Sequence, residues 1–166
     1  MEKTKILFIC LGNICRSPSA EAVMKHLVDK KGLNDFFEID SAGLESYHEG
    51  EKADVRMRSH ASQRGYNLTS ISRPIYPERD FDYFDMIIGM DDQNIRQLKR
   101  LVSDEKHLKK IFKMTDFVKN QNISSVPDPY YGGDKGFELV LDLLEKTCEG
   151  LLNEIIKQKN YEISSS

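Results

Sequence analysis

The sequence predicts an α/β fold, a parallel sheet with helices on both faces. Three observations carry that expectation. Apolar runs of strand length alternate with stretches of helical periodicity, the order in which crossover helices join parallel strands. The runs around Leu7 and Ile87 are continuously apolar rather than alternating, as strands buried on both faces are. The loop after the first run opens directly into a helical stretch, at the carboxyl edge where such sheets take ligands.

The first strand is "KILFI", Lys5–Ile9. A helix is expected from Pro18 to about Lys31, because Ala20, Val23, Met24, Leu27 and Val28 recur at helical spacing. Ser17 reads as its N-cap, Pro18 as its first residue and Gly32 as its stop. "FFEIDSAG", Phe36–Gly43, is the second strand, and Ala53–Tyr66 a helix closed near Gly65. "DMIIGM", Asp85–Met90, is the third strand. Asp91–Leu101 follows as a helix with acids in its first turn, where they suit the macrodipole. Leu108–Met114 is a shorter fourth strand, and Thr115–Gly136 is a loop rich in Asp, Asn, Ser, Pro and Gly. In the last helix, Phe137, Val140, Leu141, Leu144, Cys148, Leu151, Leu152 and Ile155 share one face over about five turns. A single domain, residues 1–158, and a frayed tail, residues 159–166, are expected.

Composition narrows the function classes. The chain has 166 residues, 31% charged and 39% hydrophobic, with a net charge of −3. That lacks the basic footprint of a nucleic-acid binder. No apolar run approaches the roughly eighteen residues of a membrane span. The start has neither the length nor the cleavage site of a signal peptide. Three cysteines, Cys10, Cys15 and Cys148, make no disulfide framework, so a cytoplasmic location is expected. Cys10 and Cys15 have no second pair and no nearby histidine to complete a zinc site. The four histidines form no sequence cluster and are expected at solvated or capping positions.

The loop "CLGNICRS", Cys10–Ser17, is more than a turn requires. It matches neither familiar glycine-rich nucleotide loop. Its pattern is Cys-x5-Arg, and five intervening residues can curl into a ring of inward N–H groups. Gly12 permits close approach and Asn13 tolerates positive φ. The following helix N-terminus adds free donors, and Arg16 adds a planar fork matching two phosphate oxygens. The ring suits a tetrahedral dianion, and the same donors favour thiolate at Cys10. A thiolate there can attack phosphorus. Ser17 can hydrogen-bond the sulfur. A buried structural cysteine beside a surface arginine also fits Cys-x5-Arg alone. The strand before, Gly12-Asn13 within and Ser17-Pro18 after separate the two readings. A proton donor is also needed. Asp128, held between Pro127 and Pro129 in "VPDPYYGG", is a candidate, although a plain turn explains Pro-Asp-Pro equally well.

"CLGNICRSPSAEAVM" at the amino end, "SAG" at Ser41–Gly43 followed by "YHEG", and the late "DPYYGG" resemble the low-molecular-weight protein tyrosine phosphatase family. The likeness covers nearly all of the chain, in the same order. It implies three layers around a four-stranded parallel sheet of order 2-1-3-4, with the phosphate loop after the first strand. It implies hydrolysis of phosphotyrosine monoesters through a phosphocysteine intermediate, with no metal or other cofactor. By resemblance, Cys10 is the nucleophile, Arg16 the phosphate clamp, and Asp128 the general acid that later serves as base. Leu11, Gly12, Asn13, Ile14, Cys15 and Ser17 hold the substrate phosphate. Asn13, Ser17 and Ser41 form a network that shapes the loop. Tyr47, Tyr130 and Tyr131 wall the substrate ring. The implied partners are phosphotyrosine-bearing proteins, a tyrosine kinase among the candidates, with phosphate-like anions as inhibitors.

Two positions depart from the family pattern. Tyr47 stands where many members have tryptophan, and Leu68–Arg73 lacks the histidine with which eukaryotic members complete the loop network, though Ser70 and Ser72 lie there. Related arsenate reductases need two further cysteines, absent between Met90 and Gly133. Related enzymes that dephosphorylate arginine carry threonine where Ile14 stands. A bulky apolar residue there suits an aryl ester better than a phosphoguanidinium. A binding module without catalysis is a further alternative. Within the loop, Cys15 is placed to capture an oxidised Cys10 as a disulfide. Cys148 falls on the apolar face of the last helix and reads as inert core.

Overall fold

The computed structural model describes residues 2–119 and 122–160, with only the backbone described at Tyr131. The elements in order are β1 (Thr4–Cys10), α1 (Arg16–Lys30), β2 (Phe37–Gly43), α2 (Val55–Gln63), α3 (Pro77–Tyr83), β3 (Met86–Gly89), α4 (Asp92–Leu101), β4 (Ile111–Lys113) and α5 (Gly133–Lys159). The strands form one all-parallel sheet of order β2-β1-β3-β4, as expected. Side chains of β1 alternate between two buried layers. Ile6 and Phe8 pack with α1 and α5, whereas Leu7 and Ile9 pack with Phe81 of α3, Phe84 just after it, and Leu98 of α4. Each fully buried side chain of this size contributes about 1.5–3 kcal/mol, which fixes the strand's register and so the position of Cys10 at its end. The register sets Cys10 opposite Gly43 and Phe8 opposite Ser41. Three strand ends thus meet at one edge. Among the described residues no helix is long and apolar enough to cross a membrane.

Several boundaries differ from expectation. Helix α1 begins at Arg16, and Ser17 is not its N-cap; Cys15 takes that position with no side-chain cap bond. The reason is chemical: the free N–H of Ser17 faces the Cys10 sulfur. Helix α2 is shorter than read, Val55–Gln63, with Asp54 accepting from the N–H groups of Arg56 and Met57. Helix α3 was not expected; it has only seven residues, too few for a periodic signal, though Pro77 opens it. Strand β4 keeps only Ile111–Lys113, because Glu105–Lys110 curls into a 3-10 turn capped by Asp104. Helix α5 starts at Gly133, inside the expected loop, fed by a 3-10 turn at Pro129–Tyr131. It ends at Lys159, and residues 161–166 of the expected tail lie outside the described residues. His107 is buried, 2.7 Å from Asp82 and stacked on Phe81, and so holds neither the solvated nor the capping position expected.

His60 also departs from that expectation. Its Nδ1 lies 2.5 Å from Glu138 and its Nε2 3.1 Å from Asp134, both on α5. Desolvation disfavours the His60 cation, but the hydrogen bonds and charges of Glu138 and Asp134 outweigh it and raise the pKa above its ordinary 6.5. A raised folded value means that the charged form stabilises the fold fully below pH 6.5. That contribution is lost as pH climbs through the folded value. His60→Gln is therefore expected to flatten the decline in stability above pH 6.5, read from urea midpoints. A slope identical to the parent's would contradict this.

Candidate active site

The loop after β1 is shaped from outside. Its carbonyls are claimed by neighbouring segments: Leu44 N–H donates to Cys10 O at 3.0 Å, Glu45 N–H to Leu11 O at 3.0 Å, and Asp54 N–H to Ile14 O at 2.8 Å. The Ser72 hydroxyl donates to Gly12 O at 3.0 Å. With the carbonyls drawn outward, the amides of Leu11–Cys15 are left for the interior. None of them has a protein acceptor among the described residues. Gly43 lets this happen. A Cβ there would come within 3.0 Å of Leu11 O and 3.1 Å of Glu45 O.

Asn13 holds the turn from behind. It is 1% exposed and adopts φ 58, a left-handed conformation that asparagine tolerates better than most residues. Its amide donates to Ser17 Oγ at 2.8 Å and Ser41 Oγ at 3.0 Å, and its carbonyl accepts from Arg73 N–H at 3.1 Å. Ser41 in turn donates to Glu21 at 2.6 Å. Ser17 Oγ already accepts from Asn13, so its own proton is free to face Cys10 Sγ, 3.0 Å away. The Ser17 N–H reaches the same sulfur at 3.5 Å. Ser72 and the Arg73 backbone thus occupy the region where a histidine was missed. Replacing Asn13 by alanine strands several buried groups, each costing about 1–3 kcal/mol. Asn13→Ala is expected to lower Tm by about 5–10 °C, and calorimetry checks it.

Arg16 is almost wholly buried and its guanidinium is aimed by two acceptors. Nη1 donates to Asp91 at 2.7 Å and to Val126 O at 3.2 Å. Burial works against its charge, but Cys10 and Asp91 raise its pKa further. Asp91 serves two ends at once, since its other oxygen caps α4 through Asn94 N–H at 2.7 Å. Sequence reading gave Asp91 only a first-turn role. Its position just past the carboxyl end of β3 was the available signal.

These groups surround a cavity of about 310 Å³. Cys10, Leu11, Gly12, Ile14, Cys15 and Arg16 line its base. Tyr47, Tyr130 and Asp128 line its wall, so residues from both ends of the chain meet there. Asn13 and Ser17 sit behind the loop and Ser41 behind them, outside the cavity lining. The side chain of Tyr131 lies outside the described residues. Asp128 Oδ1 accepts from Tyr130 N–H at 3.0 Å, and Oδ2 has no hydrogen-bond partner among the described residues. Glu45, His48 and Asp54 also line the cavity and were not foreseen. The His48 ring lies over Gly12 and edge-on to Tyr47, with Glu51 at 2.5 Å from its Nδ1.

A family model described as low molecular weight phosphotyrosine protein phosphatase matches residues 5–161. The chain belongs to this family. A curated relative, the low molecular weight protein-tyrosine-phosphatase YfkJ of Bacillus subtilis, is 40% identical over 93% of this chain and 97% of its own. A solved protein tyrosine phosphatase from Entamoeba histolytica, with Hepes in its active site, superposes with TM-score 0.90 at 49% identity. That match covers 95% of this chain and 99% of the other. A Drosophila arginine phosphatase also superposes, with TM-score 0.85 at 33% identity, covering 91% and 97%. The cavity at the end of β1 is where this phosphatase chain gathers its thiol, guanidinium and carboxyl groups.

Proposed function

We propose that this protein hydrolyses phosphotyrosine monoesters on proteins through a phosphocysteine intermediate, without a metal. The observation that carries the reading is the Cys10 sulfur beneath a ring of outward-pinned carbonyls, with Ser17 on it and Arg16 and Asp128 lining the same cavity. The Cys10 thiolate attacks phosphorus and forms the S–P bond as the ester P–O bond breaks. Asp128 gives its proton to the leaving phenolate. The Arg16 fork and the loop amides hold the equatorial oxygens as charge builds, the role for which preorganised donors are most effective. Asp128, now a carboxylate, takes a proton from water as the water oxygen attacks phosphorus. The S–P bond breaks and inorganic phosphate leaves, with Ser17 steadying the returning sulfur anion. Tyr47 and Tyr130 offer the substrate ring aromatic faces.

The structural likeness to an arginine phosphatase favours one competing reading, a phosphoguanidinium substrate. Glu45, Asp54 and Asp128 could face a guanidinium, whereas Ile14 narrows the base with apolar bulk. Peptides bearing phosphotyrosine, phosphoserine or phosphoarginine, assayed in EDTA, decide between them. Phosphotyrosine turnover well above the other two is expected, undiminished by the chelator. Preference for phosphoarginine, or loss of activity in EDTA, would overturn the proposal.

Cys15 shares the cavity with Cys10. Peroxide oxidises a thiolate to sulfenic acid. Cys15 would condense with that group, forming a disulfide and releasing water. Burial, then Asp54, Cys10 and Asp128, push the Cys15 thiol up in pKa, so its capture of Cys10 is slower than that of a thiolate. Recovery by added thiol after peroxide is expected to be poorer in Cys15→Ala than in the parent; equal recovery would end the idea.

A further inference from the structure

We infer that His60 is a positioning residue for Asp128: it clamps the first turns of α5, on which the Asp128 loop is seated, to α2, the helix whose N-terminal end is hydrogen-bonded to the phosphate loop. The inference rests on the reading of Asp128 as general acid. Asp128 is exposed and has little packing of its own, but the next residue, Pro129, is buried. Pro129 sits directly on α5. Its carbonyl accepts from Gly132 N–H at 3.0 Å, and a Cβ at Gly136 would lie 3.1 Å from that oxygen and 3.5 Å from the proline Cα. Where α5 begins, Asp128 must follow.

The start of α5 has little internal stiffness, although Phe137 and Val140 bury it in the core. Gly132, Gly133 and Gly136 make it intrinsically soft, and its N-cap has no side-chain bond. A further, polar restraint comes from α2. His60 uses both ring nitrogens, on Glu138 and on Asp134, and stacks on Phe137 at 5.4 Å with the planes 14° apart. Two nitrogens each facing a carboxylate are satisfied only when both donate. One side chain therefore fixes three residues of the first two turns. Arg64 strengthens the same grip, 2.7 Å from Glu138, and Arg56 lies over the rings of Phe137 and Tyr130. At its other end α2 is anchored to the phosphate loop through Asp54 N–H and Ile14 O. The path from thiol to acid thus runs along one short helix. The raised pKa of His60 agrees with a charged clamp.

The test reads kcat/KM, which reports the steps through P–O cleavage, for aryl phosphates of differing leaving groups. A misplaced acid matters for phenyl phosphate and hardly at all for 2,4-dinitrophenyl phosphate, whose phenolate leaves unprotonated. His60→Phe keeps the ring stack and removes both hydrogen bonds. It is expected to lower kcat/KM about tenfold for phenyl phosphate and less than about twofold for the dinitrophenyl ester. His60→Gln, which can still donate to Glu138, should fall between it and the parent. In an Asp128→Asn background, His60→Phe should add no further loss. Equal losses on all esters, or a full additional loss in that background, would show a merely structural role and overturn the inference. If Asp128→Asn itself left the leaving-group dependence unchanged, the acid reading would fail and the inference with it. That outcome is distinct from a uniform His60 loss beside an intact Asp128 effect.

Discussion

Cys10→Ser is expected to remove turnover of para-nitrophenyl phosphate almost entirely while leaving phosphate binding in place. Cys10 is 3% exposed, and the Ser17 hydroxyl and N–H both face its sulfur. Serine fits the space but offers an alcohol where the reaction needs an anion, and the ring cannot make up that difference. Losing a nucleophile that works as part of a unit costs on the order of 10⁴–10⁶ in kcat. The loop amides, Arg16 and the tyrosine walls do not depend on the sulfur, so a phosphotyrosine peptide should bind the variant within about tenfold of the parent affinity. Turnover assays in EDTA, paired with calorimetric titration of the peptide, read both quantities. A variant that turned over normally would exclude covalent catalysis at Cys10. A parent that bound the peptide and never released phosphate would make the protein a binding module.

The parts of this site that could be read from the sequence are those that lie together in it. Cys10 to Ser17 is one contiguous stretch between an apolar run and a helix, so its ring geometry follows from local rules about glycine, asparagine and helix ends. The sheet was legible for a similar reason, because strand burial writes itself into short apolar runs. Ser41 and Tyr47 were reached through family likeness, since nothing local sets them apart from the other serines and tyrosines; Asp128 was marked locally by its flanking prolines, but a plain turn explained those equally well and only the likeness made it the general acid. Asp91 was invisible as a partner of Arg16. The pair is joined only by the adjacency of β1 and β3, and the acid's capping role gave a sufficient local explanation. His60 was misjudged on the same grounds. Its partners lie on α5, far along the chain, and surface-facing helical histidines are common enough to hide a clamp. Ser17 shows the opposite failure. Its capping signal was strong, but Arg16 joined the helix and the serine was turned onto the sulfur.

Asp128→Asn should separate bond making from proton transfer. A positioned general acid contributes roughly 10²–10⁴-fold, and the loss on replacement is expected to depend on the ester. Asparagine can keep the turn, because its amide oxygen can accept from Tyr130 N–H as Oδ1 does now. The loop and the cavity wall should therefore survive, and the difference is confined to the proton. Phenyl phosphate needs that proton as its P–O bond breaks, so its kcat/KM should fall by about 10²–10³. The dinitrophenyl ester expels a stable anion and should fall by less than about fivefold. Such a pattern requires a carboxyl group poised over the leaving oxygen, and no effect on phosphate binding alone could produce it. A uniform loss across esters would instead make Asp128 a residue that shapes the wall, and would move the search for the acid to the other carboxyl groups of the cavity, Glu45 and Asp54.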